Sequence, residues 1–482
     1  MYKISDLNPK TVFEIFAQIA SIPHGSGNTK ALSNLCVDYA KKNNCKFVQD
    51  TSNNVIIFVD GTKGYEQSEP VILQGHIDMV CDKTDHCTKN MDTEGLDLRT
   101  DGVFLWADQT TLGGDDGIAV AYMLALLEDK SIPHPPLELL FTSDEEIGML
   151  GARALDASCL NASRLINIDS ETEGVLTVSC AGGVRATCQI PITKEKTINP
   201  SYKICVSGLQ GGHSGIEINK GRKNANKIMA QILNDVFEVV PFQIVHIQGG
   251  KKSNTIPNEA EAVLCVKKSL SQKFLYAVKH SAISLKHEQA VAEPELYINC
   301  TPCEPFSECM DIESTKNILF ALSKFPNGVQ TMSPDMPNMV QTSLNMGVLT
   351  TEPDCISMQF LVRSNASAGK QVMIEKLQSF AKCLFGKIEF MSDYPAWEYR
   401  PDSKLRTLMV DTYTKLFETS PKVTAIHAGL ECGILAGKIE NMDGISFGPN
   451  ILNAHTPQEK MEISSVEKCW EYLKAVLKQM KD

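Results

Sequence analysis

The chain has 482 residues, 43% of them hydrophobic and 22% charged, and a formal net charge of −12. That length suits two domains rather than one core, and the composition excludes disorder or low-complexity repeats as its organisation. The acidic balance argues against a nucleic-acid or anionic-membrane partner, since both require basic surface.

No apolar stretch follows Met1-Tyr2-Lys3-Ile4-Ser5-Asp6, which argues against an export signal. No run approaches the ~18–20 apolar residues of a membrane span. The expected location is therefore the cytoplasm. The sixteen cysteines are scattered along the chain and read as reduced, mostly buried thiols. Cys300-Thr301-Pro302-Cys303, with Cys309 nearby, is the one local cluster; a lone CxxC can be redox-active or bind metal.

In chain order, residues 9–22 and 30–43 have the apolar spacing of amphipathic helices. Val71-Ile72-Leu73 reads as a short buried strand. Ile118 to Leu127 is almost wholly apolar and predicts a helix buried on all sides. Leu137 to Phe141 and Leu165 to Ile168 are two further strands. This alternation predicts an α/β fold with a mixed, mainly parallel sheet flanked by helices. From about 185 to 394 the texture becomes α+β. Strands are expected at 186–191, 202–207, 243–248, 260–266, 294–299, 356–363 and 386–391. Helices are expected near 219–236, 270–287, 312–324 and 368–385. A helix resumes at Asp402, and a strand at 444–447 and a final helix at 464–480 return to the first domain. The expected organisation is 1–184 with 395–482 as one domain and 185–394 inserted into it.

Polar, ligand-type residues cluster where the first domain's strands end. Gln74-Gly75-His76-Ile77-Asp78 follows one strand. Asp115-Asp116-Gly117 opens the buried helix. Asp144-Glu145-Glu146 and Asp169 follow two more strands, and His455 lies near the far end. Open α/β sheets bind ligands at that edge. Taken singly, the HxD sequence also reads as a surface turn and the acidic runs as helix N-termini. Together, two histidines and several carboxylates suit two divalent metal ions, zinc first, with manganese and cobalt also accepting such ligands.

The order HxD, DDG, EE, D and a late His resembles the two-zinc metallopeptidases, which include carboxypeptidases, acetylornithine-type deacylases and dipeptidases. The strings Gln74–Val80, Thr111–Gly117, Thr142–Met149, Gly211-Gly212-His213-Ser214-Gly215 and His427–Gly433 are similar to the aminoacyl-histidine (cytosol non-specific) dipeptidase family. That resemblance implies a zinc-exopeptidase-like catalytic domain carrying an inserted α+β lid. The insert is longer than a four-strand, two-helix lid needs, so two ferredoxin-like subdomains are expected. The family pattern implies that Asp115 bridges the metals, that His76 and Asp169 complete one site, and that Glu146 and His455 complete the other. Motif position selects Asp115 over Asp116. The same pattern implies Asp78 behind His76, Glu145 as general base and His213 as oxyanion donor. Asn254 and Arg363 resemble substrate-binding positions, and an arginine fork suits a terminal carboxylate. Glu431 is a candidate contact for a free α-amine. The expected activity is metal-dependent hydrolysis of unsubstituted dipeptides, with Xaa-His among the preferred substrates. An N-acyl-amino-acid deacylase and a metal-binding protein without catalysis are the alternatives. A small peptide is the expected substrate partner, and a second copy of the chain a candidate one.

Overall fold

The computed structural model describes residues 3–481. They form two units. The first comprises the chain up to Cys180, Tyr399–Ala425 and the residues from Leu430 onward; the second comprises Ala181–Glu398 and Ile426–Gly429. Among the described residues no helix is long and apolar enough to cross a membrane.

The first unit is built on an eight-stranded sheet. Its order is Lys46–Gln49, Val55–Val59, Leu137–Thr142, Val71–His76, Arg164–Asn167, Asp443–Ser446, Val175–Cys180 and Lys422–Ile426. The four middle strands, from Leu137–Thr142 to Asp443–Ser446, run parallel. Their neighbours Val55–Val59 and Val175–Cys180 are antiparallel. Covered on both faces, the middle strands carry unbroken apolar runs: Val71, Ile72 and Leu73 are fully buried. Helix Gly114–Glu128 has no polar face, and every residue from Gly117 to Leu127 is buried. Each large side chain sequestered there contributes about 1.5–3 kcal/mol. Because these strands are parallel, their C-terminal ends share one edge. His76 ends one strand, Glu145 and Glu146 follow a second, and Asp169 follows a third. A small four-stranded sheet completes the frame. In it Ile451–Leu452 pairs with Lys460–Glu462, so His455 lies in the loop of a hairpin.

The second unit holds a nine-stranded sheet with antiparallel pairing. Its path is Tyr297–Cys303, Ser201–Ser207, Ala260–Cys265, Gln243–Gly249, Val340–Thr351, Cys355–Ser364, Gly182–Pro191 and Lys387–Tyr394, with Gly328–Met332 beside Val340–Thr351. A four-stranded part and a five-stranded part meet where Gly249 pairs with Leu349. Helices Ala225–Val239, Ser271–Glu288, Ile312–Lys324 and Ser367–Cys383 bury their apolar faces in one continuous core. The two subdomains expected from the insert's length therefore share one sheet and one interior. Ile426–Gly429, expected with the first domain, lies with the second. The Ala181 N–H donates to the carbonyls of Ile426 and Ala428. Helix Ala225–Val239 starts six residues later than its expected position, because Asn224 caps it by accepting from the Asn226 N–H.

All sixteen cysteines are free thiols. Cys300 and Cys303 lie three apart in the edge strand Tyr297–Cys303, and side chains so spaced point to opposite faces. The CxxC sequence therefore offers no chelating pair in this unit.

Candidate active site

His76 is the best-supported side chain of the cluster. Its Nδ1 lies 2.9 Å from the Asp78 carbonyl and 3.5 Å from Asp78 Oδ1. Both are acceptors, so Nδ1 carries a proton, and a cation at the cluster would take the lone pair of Nε2. Nε2 faces Asp115 Oδ1 at 3.1 Å and Asp169 Oδ1 at 3.7 Å. Asp78 does more than orient the ring. Its carboxylate accepts the backbone N–H groups of Glu145 (2.9 Å) and Glu146 (3.2 Å) and the hydroxyl of Ser26 (2.8 Å). One buried carboxylate thus sets both His76 and the Glu145–Glu146 turn.

Asp115 faces both histidines. Oδ1 meets His76, and Oδ2 lies 3.0 Å from His455 Nε2, which is also 2.9 Å from Glu146 Oε1. The peptide bond between Asp115 and Asp116 is cis. Asp116 is turned away and accepts the His76 backbone N–H at 3.1 Å. A side chain on Gly75 would put its Cβ 2.5 Å from Asp116 Oδ2, so glycine is required there. Donor atoms of His76, Asp116 and Asp169 also fall within 4.8 Å of one another. Asp116 is nevertheless 1% exposed and engaged by that amide, which favours Asp115 as the carboxylate between the histidines.

These donors fit divalent cations. An unprotonated imidazole nitrogen facing two carboxylate oxygens is repulsive by itself, and a cation between them, proton or metal ion, reverses the sign. Four donors at about 2.0–2.1 Å from a tetrahedral ion stand roughly 3.3–3.4 Å apart; the separations here span 2.9 to 3.7 Å. The ligand sets found among the described residues all lie at this one place. Without a metal ion the same excess of negative charge draws protons. Burial raises the Asp169 carboxyl to about 6, with Asp115 adding to the rise and His76 opposing it. The carboxylates of Asp115 and Glu146 push the His455 imidazole up to about 11.

Glu145 stands beside the cluster. Burial, and then the charges of Asp169, Glu431 and Glu146, hold its carboxyl well above the usual range against the pull of His76. Glu431 is fully buried. Its Oε2 accepts from Gln74 Nε2 (2.7 Å) and the Thr142 hydroxyl (2.6 Å), while Oε1 has no hydrogen-bond partner. Both partners lie on the strands that lead to His76 and Glu145. Three residues of the site went unrecognised in the sequence: Ser26, Glu171 and Glu459. Burial, with Asp115 and Asp169 nearby, raises Glu171 to about 7. Each is a common surface residue type, and only its position relative to Asp78, Asp115 or Asp169 distinguishes it.

The second unit brings His213, Asn254 and Arg363 together. His213 pairs with Thr255, and the Ser214 N–H donates to the Asn254 carbonyl at 2.9 Å. His213 Nδ1 accepts the N–H groups of Gly215 and Ile216, both at 3.3 Å, which leaves the ring proton on Nε2. Arg363 Nη2 is 3.5 Å from that atom, and Arg363 Nε is buried without a partner. Burial, then the Arg363 charge, lowers the His213 pKa. The result is a neutral N–H donor beside a guanidinium, a pair suited to an anionic oxygen.

Behind them His427 lies between the Ser343 hydroxyl (2.8 Å) and Asn365 Oδ1 (2.9 Å). Burial, then the charges of Arg363 and His213, lower its pKa to about 3. An unfolded chain takes up this proton below about pH 6.5 while the folded one does not. Stability is therefore expected to fall as pH drops from 6.5 toward 3, at up to about 1.4 kcal/mol per pH unit from this group. Urea unfolding at pH 7 and pH 5 checks it. His427→Gln should be less stable at pH 7 but lose less on acidification; equal losses in the two proteins would remove His427 as the cause.

Comparison with known proteins gives the same architecture. The chain is 35% identical over 482 residues to the cytosol non-specific dipeptidase of Escherichia coli K12, covering 100% of this chain and 99% of that protein. The crystal structure of aminoacylhistidine dipeptidase from Vibrio alginolyticus superposes with a TM-score of 0.95 at 34% identity, covering 99% of this chain and 98% of that one. The aminopeptidase PepT from Bacillus cereus shares the fold, with a TM-score of 0.59 and 14% identity over 99% of this chain and 100% of that one. The profile of Peptidase family M20/M25/M40 matches residues 72–479, and the chain belongs to that family of metallopeptidases.

Proposed function

We propose that the protein is a two-metal dipeptidase that hydrolyses unsubstituted dipeptides. The observation that carries this reading is Asp115, with one carboxylate oxygen toward each histidine and Glu145 alongside. His76, Asp115 and Asp169 would hold one ion; Asp115, Glu146 and His455 would hold the other. Zinc suits the nitrogen and oxygen donors best, and manganese or cobalt would be accepted. When bound, the two ions polarise the peptide carbonyl and lower the pKa of water at the site.

The chain's own residues do the rest. Glu145 takes the proton of the attacking water and returns it to the leaving amine nitrogen. Asp78 fixes the His76 tautomer and anchors the Glu145 and Glu146 amides, so base and ligand point different ways from one turn. In the second unit the His213 Nε2–H is suited to an oxyanion, and Arg363 and Asn254 to a substrate carboxylate. The carboxylates in excess of the ligands, Glu171 among them, favour a free ammonium over an acylated nitrogen. Glu431, bonded to Gln74 and Thr142, is better suited to bracing those strands than to meeting the amine.

The test is release of free amino acids from β-Ala-His, Gly-His, Leu-Gly and an N-acetyl amino acid, with and without a chelator. Chelator-sensitive cleavage of the free dipeptides, with the acetylated compound untouched, is expected. A lead by the two histidine-terminated substrates would establish an Xaa-His preference. Cleavage of the acetylated compound alone would replace this reading with the deacylase. No turnover with metal bound would leave a binding protein.

A further inference from the structure

The two halves of the metal cluster are supported differently. His76 is the last residue of a central strand, and Asp169 follows another by two residues. Glu146 and His455 come from loops, and Asn453 and His455 both adopt left-handed backbone angles (φ 57° and 63°). His455 is also the exposed member of its ligand group. Something must hold the 453–459 loop against the segment that carries Asp115.

Glu459 is placed to do this. It lies four residues past His455 and is 2% exposed. Its carboxylate accepts three successive backbone N–H groups: Leu112 at 2.8 Å, Gly113 at 3.2 Å and Gly114 at 2.8 Å. The next residue is Asp115. Local geometry is built around this contact. Gly113 has φ +65°, and a Cβ there would meet Met79 Sδ at 2.7 Å; a Cβ on Gly114 would meet Glu459 Oε1 at 3.3 Å. Charge-assisted bonds from a buried carboxylate to three amides are strong and directional. Immediately after Glu459, Lys460–Glu462 pairs with Phe104–Ala107, which fixes the base of the loop.

We infer that Glu459 is a positioning residue that sets the distance between His455 and Asp115, and so forms the second metal site while the first is set by the strands. This rests on the two-metal reading above. Glu459 belongs to none of the candidate ligand groups among the described residues; it acts through the backbone of Leu112–Gly114. Groups that orient metal ligands typically account for about 10–100-fold in affinity.

The experiment titrates zinc alone into metal-free wild type, Glu459→Gln and Glu459→Asp by calorimetry, with elemental analysis and amide hydrogen exchange alongside. Wild type should bind two ions. Glu459→Gln should bind the second ion about 10–100-fold more weakly, and the first, which shares Asp115 but is held by His76 and Asp169 on the strands, with a clearly smaller loss. Glu459→Asp, with the charge kept and the reach shortened, should fall between. Amides of Leu112–Gly114 should exchange faster in the variants, while those of Val71–His76 stay protected. Turnover should recover at high zinc with KM unchanged. Equal weakening of both ions, or no weakening of either, overturns the inference. If Glu459→Gln does not fold, Glu459→Asp and the wild-type exchange data carry the test: fast exchange at Leu112–Gly114 in wild type overturns it as well. Fewer than two ions on wild type would overturn the two-metal reading and this inference together.

Discussion

Glu145→Gln is expected to lower kcat for dipeptides by about 10²–10⁴-fold, with two metal ions still bound and KM little changed. The amide keeps the side chain's shape, and the backbone N–H of residue 145 still donates to Asp78, as it does at 2.9 Å in the wild type. Only the ability to take and return a proton is lost. Glu145 sits where burial and neighbouring carboxylates favour its protonated form, which suits the second half of that task. Cations at the cluster oppose that push and restore the base needed for the first half. Steady-state kinetics with metal analysis of the same sample decide the matter. An unchanged kcat would remove Glu145 as the base. A lost kcat accompanied by lost metal would instead make it a ligand.

Asp115→Ala is expected to reduce turnover to that of the chelated wild type. Among the described residues it is the one carboxylate with an oxygen toward each histidine, so its loss opens both sites at once. Removing Glu146 or His455 alone should spare one ion. The effect extends to stability. An ion that binds only the folded chain, present at 100 times its Kd, stabilises by about 2.7 kcal/mol. For a unit of this size that corresponds to about 5–10 °C in melting temperature. A chelator should therefore lower the melting temperature of the wild type and leave that of Asp115→Ala nearly unmoved. Metal content near two ions in Asp115→Ala would refute the bridging role.

Much of the first unit was legible in the sequence. Val71–Leu73, Leu137–Phe141 and Leu165–Ile168 announce parallel strands because a sheet covered on both faces demands unbroken apolar runs. Ile118–Leu127 announces its burial for the same reason. The second unit shows where such reading stops. Val340–Thr351 is a twelve-residue strand at the middle of its sheet, yet it passed unrecognised. Thr342, Ser343 and Asn345 are buried polar residues within it. Their partners are distant: Ser343 meets His427, and Asn345 donates to the carbonyls of Ser253 and Thr255. No periodicity along 340–351 could show that.

The site divides in the same way. The sequence by itself determined which residue types stand at which strand ends, because a ligand's place along its own strand is a local property. The alternation of strand and helix then placed His76, Glu145, Glu146 and Asp169 along one sheet edge. Only the tertiary structure decided which atoms face one another. It turned Asp115 rather than Asp116 toward the histidines and seated Ile426–Gly429 with the second unit. It also made Asp78 the anchor of two amides, and set Glu459 against a segment about 345 residues earlier in the chain. These outcomes depend on directions of side chains and amides that converge only after the strands pair and the loops close. Such directions leave no mark in the spacing of residues along the chain.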